Sequence, residues 1–214
     1  LGASFGGYLK RGATVVTGRD SGAVARMLKR AMISGLLSVG VNVLDTRSMP
    51  LPVIRHSILG AQAGGGVHVR ITPNDPRIAA IEFFDEQGIY VSKNAERKIE
   101  TIFFREDFRR VDVDQVGQLE FAGRVIEQYA EAFYHRVSAD TIKSRKLKIV
   151  ADFAYGRLAS TYPALLGKMG CELVALNAYP DITKTPKTPE DRKALMPKLA
   201  QIVTTLNADI GVLF

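Results

Sequence analysis

Cysteine is nearly absent: Cys171 stands alone, so no internal disulfide is possible and a reducing compartment is expected. It falls in an apolar, strand-like run, which makes it a core thiol rather than a nucleophile. The three histidines are scattered, and no spacing of zinc ligands is present. No apolar run reaches the roughly 18 residues of a membrane-spanning helix. No basic–apolar–small leader is visible, so a cytoplasmic setting is expected. An initiator methionine is also missing, and the chain reads as part of something longer. The net charge of +7 raises nucleic acid as a partner, but the excess is spread: residues 1–120 hold 16 Lys/Arg against 13 Asp/Glu, and the remainder 13 against 9. The local clusters at 143–148 and 184–198 lack the interleaved aromatics of a single-strand platform. They read as solvated faces, with small anions as the next possibility, and nucleic acid is not expected.

What is present is an ordinary globular composition, 46% hydrophobic and 24% charged, in 214 residues, enough for one large domain or two small ones. Leu1, Phe5, Tyr8 and Leu9 form an opening helical stripe. A strand at 13–17 runs into Gly18-Arg19-Asp20-Ser21, where Asp20 or Ser21 can cap a helix reaching about residue 39. That helix is expected to bury Val24, Met27, Leu28, Ala31 and Leu36. Next come a strand at 41–44, a helix opened by Pro50 and Pro52 and stopped by Gly60, and a strand led in by Gly64-Gly65-Gly66. A strand at 81–84 should pair back with 89–91 as a hairpin, ahead of a polar helix over 93–104. Residues 111–117 carry little periodicity and read as an inter-domain connection.

A second unit opens with Val125, Tyr129, Phe133 and Val137 on one helix. Strands are expected at 147–151, 173–176 and 210–214. A helix to Lys168 closes on Gly170, and Thr188-Pro189-Glu190-Asp191 has the form of a capping box. Its helix should bury Leu195, Leu199, Ile202, Val203 and Leu206. Strand and helix alternate throughout, which predicts two layered α/β/α units with mixed sheets, over 1–110 and 121–214.

The stretch to watch for chemistry is Gly64 to Pro76, because sites in parallel α/β sheets sit on loops leaving strand carboxyl ends. Its turn, Thr72-Pro73-Asn74-Asp75-Pro76, gathers a hydroxyl, an amide and a carboxylate between prolines that fix φ. Arg19, followed by Asp20, sits at a strand end beside a helix amino terminus and is a candidate phosphate contact. Arg70 is another, unless it pairs with Glu82 or Asp75.

The ordered set of motifs resembles domains one and two of the α-D-phosphohexomutases, the phosphoglucomutase/phosphomannomutase enzymes. Gly18-Arg19-Asp20-Ser21 is similar to the family's strand-end G-R-D-S/T. Val41-Asn42-Val43-Leu44-Asp45 with Pro50-Leu51-Pro52 resembles its second strand and P-T-P turn. Gly66 to Pro76 stands where the family has G-V-x-x-T-A-S-H-N-P, and Ile81-Glu82-Phe83-Phe84-Asp85 looks like its G-I-K-F-F-D. Asp152-Phe153-Ala154-Tyr155-Gly156, Gly170-Cys171-Glu172 and Asn177-Ala178-Tyr179-Pro180-Asp181 resemble its second domain. By that likeness the first domain lacks its opening strand, and the second stops short of the metal loop.

The resemblance implies a phosphoserine in the S-H-N-P loop, hexose phosphates as substrates, and a Mg²⁺ held partly by a D-G-D-x-D-R loop that would follow Phe214. This sequence departs from that pattern. Matching the loops on their N-P and D-P prolines puts Pro73 at the serine, Asn74 at the histidine and Asp75 at the asparagine. Glu82 replaces a lysine, and Gly22 an arginine. Thr72, one residue away, is the alternative nucleophile. Two readings follow. One is a non-catalytic module that binds sugar phosphates weakly or serves regulation, behind a sugar nucleotidyltransferase such as a mannose-1-phosphate guanylyltransferase. The other is a fragment of an active hexose-phosphate mutase that acts through Thr72, with its C-terminal mutase domains elsewhere.

Overall fold

The computed structural model describes residues 1–72, 75, 77–108, 110–184 and 188–214. Two compact units emerge: Leu1–Arg70 with Ala79–Val125, and Ile71–Ile78 with Ile126–Phe214.

In the first unit the elements run α1 (Gly2–Tyr8), β1 (Thr14–Arg19), α2 (Ala23–Leu37), β2 (Asn42–Ser48), α3 (Leu51–Gly60), β3 (Gly65–Ile71), β4 (Ala79–Phe84), α4 (Lys93–Arg105) and β5 (Leu119–Phe121). The strands form one sheet in the order β4-β3-β1-β2-β5, with β1 parallel to β2 and β3, and β2 parallel to β5. Alternation along β1 sorts its side chains between two cores. Val15 joins Phe5, Ala25, Met32, Ile33, Leu36, Val43, Val67 and Ile99 under α1, α2 and α4. Val16 faces the other way, onto Ile54 and Ile58 of α3, with Ala63 and Phe84. The unit is therefore three-layered. Two glycines let α3 approach: a Cβ on Gly18 would stand 2.2 Å from Ile54 Cδ1, and one on Gly66 would stand 2.4 Å from Ile58 Cδ1. Gly65 and Gly66 thus belong to the strand itself rather than to a lead-in.

Several expectations need correction here. α2 buries Ala25, Lys29, Met32, Ile33 and Leu36, while Val24 is 48% and Met27 60% exposed. The core stripe is displaced because a lysine occupies its centre. The α2 N-cap is Gly22, with no side-chain cap; Asp20 Oδ1 instead accepts the Gly22 amide at 2.9 Å. The expected hairpin strand at 89–91 reduces to one antiparallel bridge, Phe84 to Tyr90. Residues 111–121 are not a free connection. Val111 and Gly117 donate to the Ser38 and Leu37 carbonyls, Gln118 accepts from Val43, and β5 extends the sheet edge.

The second unit contains α5 (Val125–Arg136), α6 (Ala139–Arg145), β6 (Lys148–Asp152), α7 (Tyr162–Lys168), β7 (Glu172–Leu176), α8 (Pro189–Thr205) and β8 (Ile210–Leu213). Its sheet order is β7-β6-β8, and both ladders are parallel. One core gathers Ile149, Ala151, Phe153, Met169 and Cys171, with Phe133, Val137, Ile142 and Phe214 packed around them. The α8 capping box forms as the sequence suggests: Thr188 Oγ1 accepts from Asp191 N, and Asp191 Oδ2 accepts from Thr188 N. Leu199 is buried, and Gly211 brings β8 close beneath Leu199 and Val203 of that helix.

Candidate functional site

From β1 the chain crosses through α2 to β2 on one side, then through α3 to β3 on the other. The loop leaving β1 therefore lies where the sheet order reverses, the usual position of a ligand crevice in open α/β sheets. Arg19 and Asp20 stand there. Arg19 Nη1 donates to the Asp20 carbonyl, and Ser48 Oγ reaches the same oxygen at 3.1 Å. The Asp20 amide donates to Val69 O at 3.0 Å, which ties this loop to the end of β3.

Beneath the loop is a buried ion pair that sequence reading missed. Lys29 and Asp45, 4% and 6% exposed, are hydrogen-bonded to each other. Burial pushes the Lys29 ammonium below its ordinary range, partly offset by Asp45, while nearby Arg19 and Arg30 lower it further. Asp45 Oδ1 also accepts the Arg47 amide at 2.7 Å, and Arg47 is held at φ 64. The pair thus fixes the irregularity within β2, where its register with β1 shifts between Asp45 and Ser48, and Arg47 projects over the Phe121 ring at 4.9 Å. No periodicity rule places a lysine in a core stripe. The available signal was Asp45, the residue after the strand expected at 41–44 and sixteen positions from the lysine.

Glu82 on β4 organises the third part. It accepts from Arg70 Nε at 2.9 Å and Tyr90 OH at 3.0 Å through Oε1, and meets His68 Nδ1 at 3.0 Å through Oε2. Burial alone would raise this carboxyl, but the hydrogen bonds from His68, Arg70 and Tyr90 outweigh it and bring it down to about 2. Arg70 therefore reaches a carboxylate, one of the two partners expected for it. His68 and Tyr90 were not expected, because cross-strand neighbours depend on a register that composition does not reveal.

Beyond β3, Thr72 Oγ1 donates to the Asp75 carbonyl at 2.7 Å, and the Thr72 amide donates to Ile78 O at 2.9 Å. The Asp75 carboxylate is engaged by Arg77 through Nε and Nη2 at 2.9 and 2.8 Å, which holds it below its usual range. Pro73 and Asn74 lie outside the described residues. A cleft of about 440 Å³ lies at the other end of the sheet, against Gly12, Gly40, Asn42 and Gln118 at the starts of β1 and β2 and beside β5, away from these groups.

Chemically, the carboxyl end of the first sheet presents Arg19 donating to a backbone carbonyl, Arg70 answered by the Glu82 carboxylate, and a threonine hydroxyl already donating its proton.

Comparison with known proteins is consistent along the whole chain. Residues 1–110 match the model of phosphoglucomutase/phosphomannomutase alpha/beta/alpha domain I, and residues 127–214 that of domain II. A phosphoglucomutase/phosphomannomutase of Thermococcus kodakarensis is 36% identical over 99% of this chain and 47% of its own length. A phosphoglucosamine/phosphogalactosamine mutase of Sulfurisphaera tokodaii is 28% identical over the same shares. Among solved structures, a phosphoglucomutase/phosphomannomutase family protein from Burkholderia thailandensis shares the fold with a TM-score of 0.76 at 23% identity, over 98% of this chain and 46% of its own. The chain spans about half the length of the relatives it matches.

Proposed function

The chain belongs to the phosphoglucomutase/phosphomannomutase family, and from that premise we propose that its two units hold a hexose phosphate without passing on a phosphoryl group. They would do so as a module of a longer protein that carries a sugar nucleotidyltransferase. The observation behind this reading is the Glu82 cluster. Phosphoryl transfer needs an oxygen held in line with phosphorus and a cation beside the transferring group. Glu82 stands where the family pattern has lysine, stays ionised down to about pH 2, and takes up Arg70. With Pro73 at the serine position there is neither a hydroxyl nor a backbone amide.

Mg²⁺, which the family pattern implies, would supply charge neutralisation. Among the described residues no three acidic, histidine or cysteine side chains converge, so the residues here do not fit a metal by themselves, and no step is derived through one.

The test is incubation with glucose 1,6-bisphosphate and Mg²⁺. Intact-mass measurement should find no phosphate adduct, Pro73→Ser alone should not create turnover, and hexose phosphates should bind only weakly. A second reading has one observation in its favour. β3 pairs with β1 without a register shift from Val15–Gly65 to Arg19–Val69. Counting along G-V-x-x-T-A-S from Gly66 and Val67 then puts Thr72, rather than Pro73, at the serine. A phosphate mapped to Thr72 would move the active mutase into first place. A nucleotidyltransferase frame upstream would support the module, and an intact acidic triplet downstream the mutase.

A further inference from the structure

The second unit has a reversal point of its own. β6 is central, β7 lies on one side of it and β8 on the other, so the loops leaving β6 and β7 open at the carboxyl end of the sheet. Three non-glycine residues there sit in the left-handed region: Ala154 at φ 45, Tyr155 at φ 59 and Asn177 at φ 49. Asp152, 5% exposed, braces them through one oxygen, accepting Ala154 N at 2.8 Å and Asn177 Nδ2 at 2.9 Å. Further backbone bonds, Tyr155 N to Asn177 O and Asp181 N to Tyr155 O, tie the two loops together.

The braced loops display a compact group of side chains. The Tyr155 and Tyr179 rings meet edge to face at 5.2 Å. Lys184 Nζ lies 5.5 and 5.4 Å from their centroids, donates to Tyr179 OH at 3.1 Å, and stands 3.8 Å from Asp181 Oδ2. Packing does not account for this group, because Tyr179 and the Lys184 side chain are each 52% exposed. Asp181 Oδ1 accepts from Thr183 N and Thr183 Oγ1 at 2.9 and 2.7 Å, while Oδ2 faces Lys184. An ammonium that takes phosphate, a ring that takes the C–H face of a pyranose, and a carboxylate held in place by its own turn together make a set for a phosphorylated sugar.

We propose that Tyr155, Tyr179, Asp181 and Lys184 form a second sugar-phosphate site, contained in the second unit. The ligand is a pyranose carrying phosphate, either free or as the sugar end of a nucleotide sugar.

Titration calorimetry with glucose 1-phosphate, UDP-glucose and inorganic phosphate tests this. Tyr179→Ala and Lys184→Gln should each weaken glucose 1-phosphate binding about tenfold. Tyr179→Phe and Lys184→Arg should retain it. Inorganic phosphate should bind more weakly than glucose 1-phosphate in every case. Tighter binding of UDP-glucose that is lost in the same two variants would identify the nucleotide sugar as the source; equal or weaker binding would identify the free hexose phosphate. Backbone amide shifts in wild-type protein on adding glucose 1-phosphate should centre on 154–155 and 177–184, which reports on the site even where a variant folds poorly. Shifts confined to 19–22 and 70–72, binding lost only in Arg19→Gln, or no binding by wild type would overturn the proposal. The Thr72 phosphorylation outcome bears on neither result.

Discussion

Glu82 and Lys29 show two ways in which a single residue is made tolerable inside the first unit. Glu82 is an anion whose charge is met from three directions, and its carboxyl lies at about 2 against an ordinary 4.5. A depressed carboxylate stabilises the fold fully above its unfolded value and loses that contribution as pH falls through the folded one. The difference between wild type and Glu82→Gln should therefore be largest at neutral pH, on the order of 3 kcal/mol, shrink below about pH 4.5 and vanish near pH 2. Thermal unfolding of both proteins between pH 7 and pH 2 checks this; a constant gap across the range would show that Glu82 acts through shape alone. Lys29 is met by one carboxylate and a carbonyl, and replacing it with methionine would leave Asp45 buried with only the Arg47 amide. That loss should cost about 3–5 kcal/mol in denaturant melts, and adding Asp45→Asn should recover much of it, since the uncompensated charge is the main penalty.

Among the elements, β3 and α3 depend on each other through missing side chains. Gly66→Ala places a methyl 2.4 Å from Ile58 Cδ1 and 3.3 Å from the Val16 carbonyl, so the Ile58 side chain or α3 must shift. The expected cost is about 1–3 kcal/mol. Ile58→Val in the same protein should cost less than the two changes summed, because it removes the atom in conflict. Additive melts would place the strain elsewhere. Elements whose cause is local were readable in advance. Thr188-Pro189-Glu190-Asp191 announces the start of α8, and Pro50 with Pro52 the start of α3. Elements set by distant partners were not. The α2 stripe was displaced because its central residue is charged, and its charge makes sense only once Asp45 is beside it. β5 has three residues, all exposed, and no alternation to detect. The candidate site divides in the same way. Arg19, Asp20, Arg70 and Glu82 follow from strand ends and motif spacing, whereas His68 and Tyr90 reach Glu82 through register alone.

At the scale of the whole chain, the two units part at Val125 and Ile126 rather than in the aperiodic stretch before them. The exposed Gly123 and Arg124, the latter at φ 54, precede that point. Brief trypsin digestion should thus cut first after Arg124, while Arg110 is protected by the bonds that fasten 111–121 to the first sheet. A first cut at Arg110, identified by fragment mass, would mean that β5 detaches readily in solution.

That short strand would also govern how the molecule meets a copy of itself. β5 covers the rim of β2 with only three residue pairs, Val43–Leu119, Leu44–Glu120 and Asp45–Phe121. Leu119 and Phe121 are 41% and 58% exposed, so little apolar burial holds the strand down. Each time it peels away, a rim of unpaired amides and carbonyls, backed by the buried Val43, becomes a template for a neighbour's backbone. Shelf life in concentrated solution would then be set by the opening of these three residues, long before either unit unfolds.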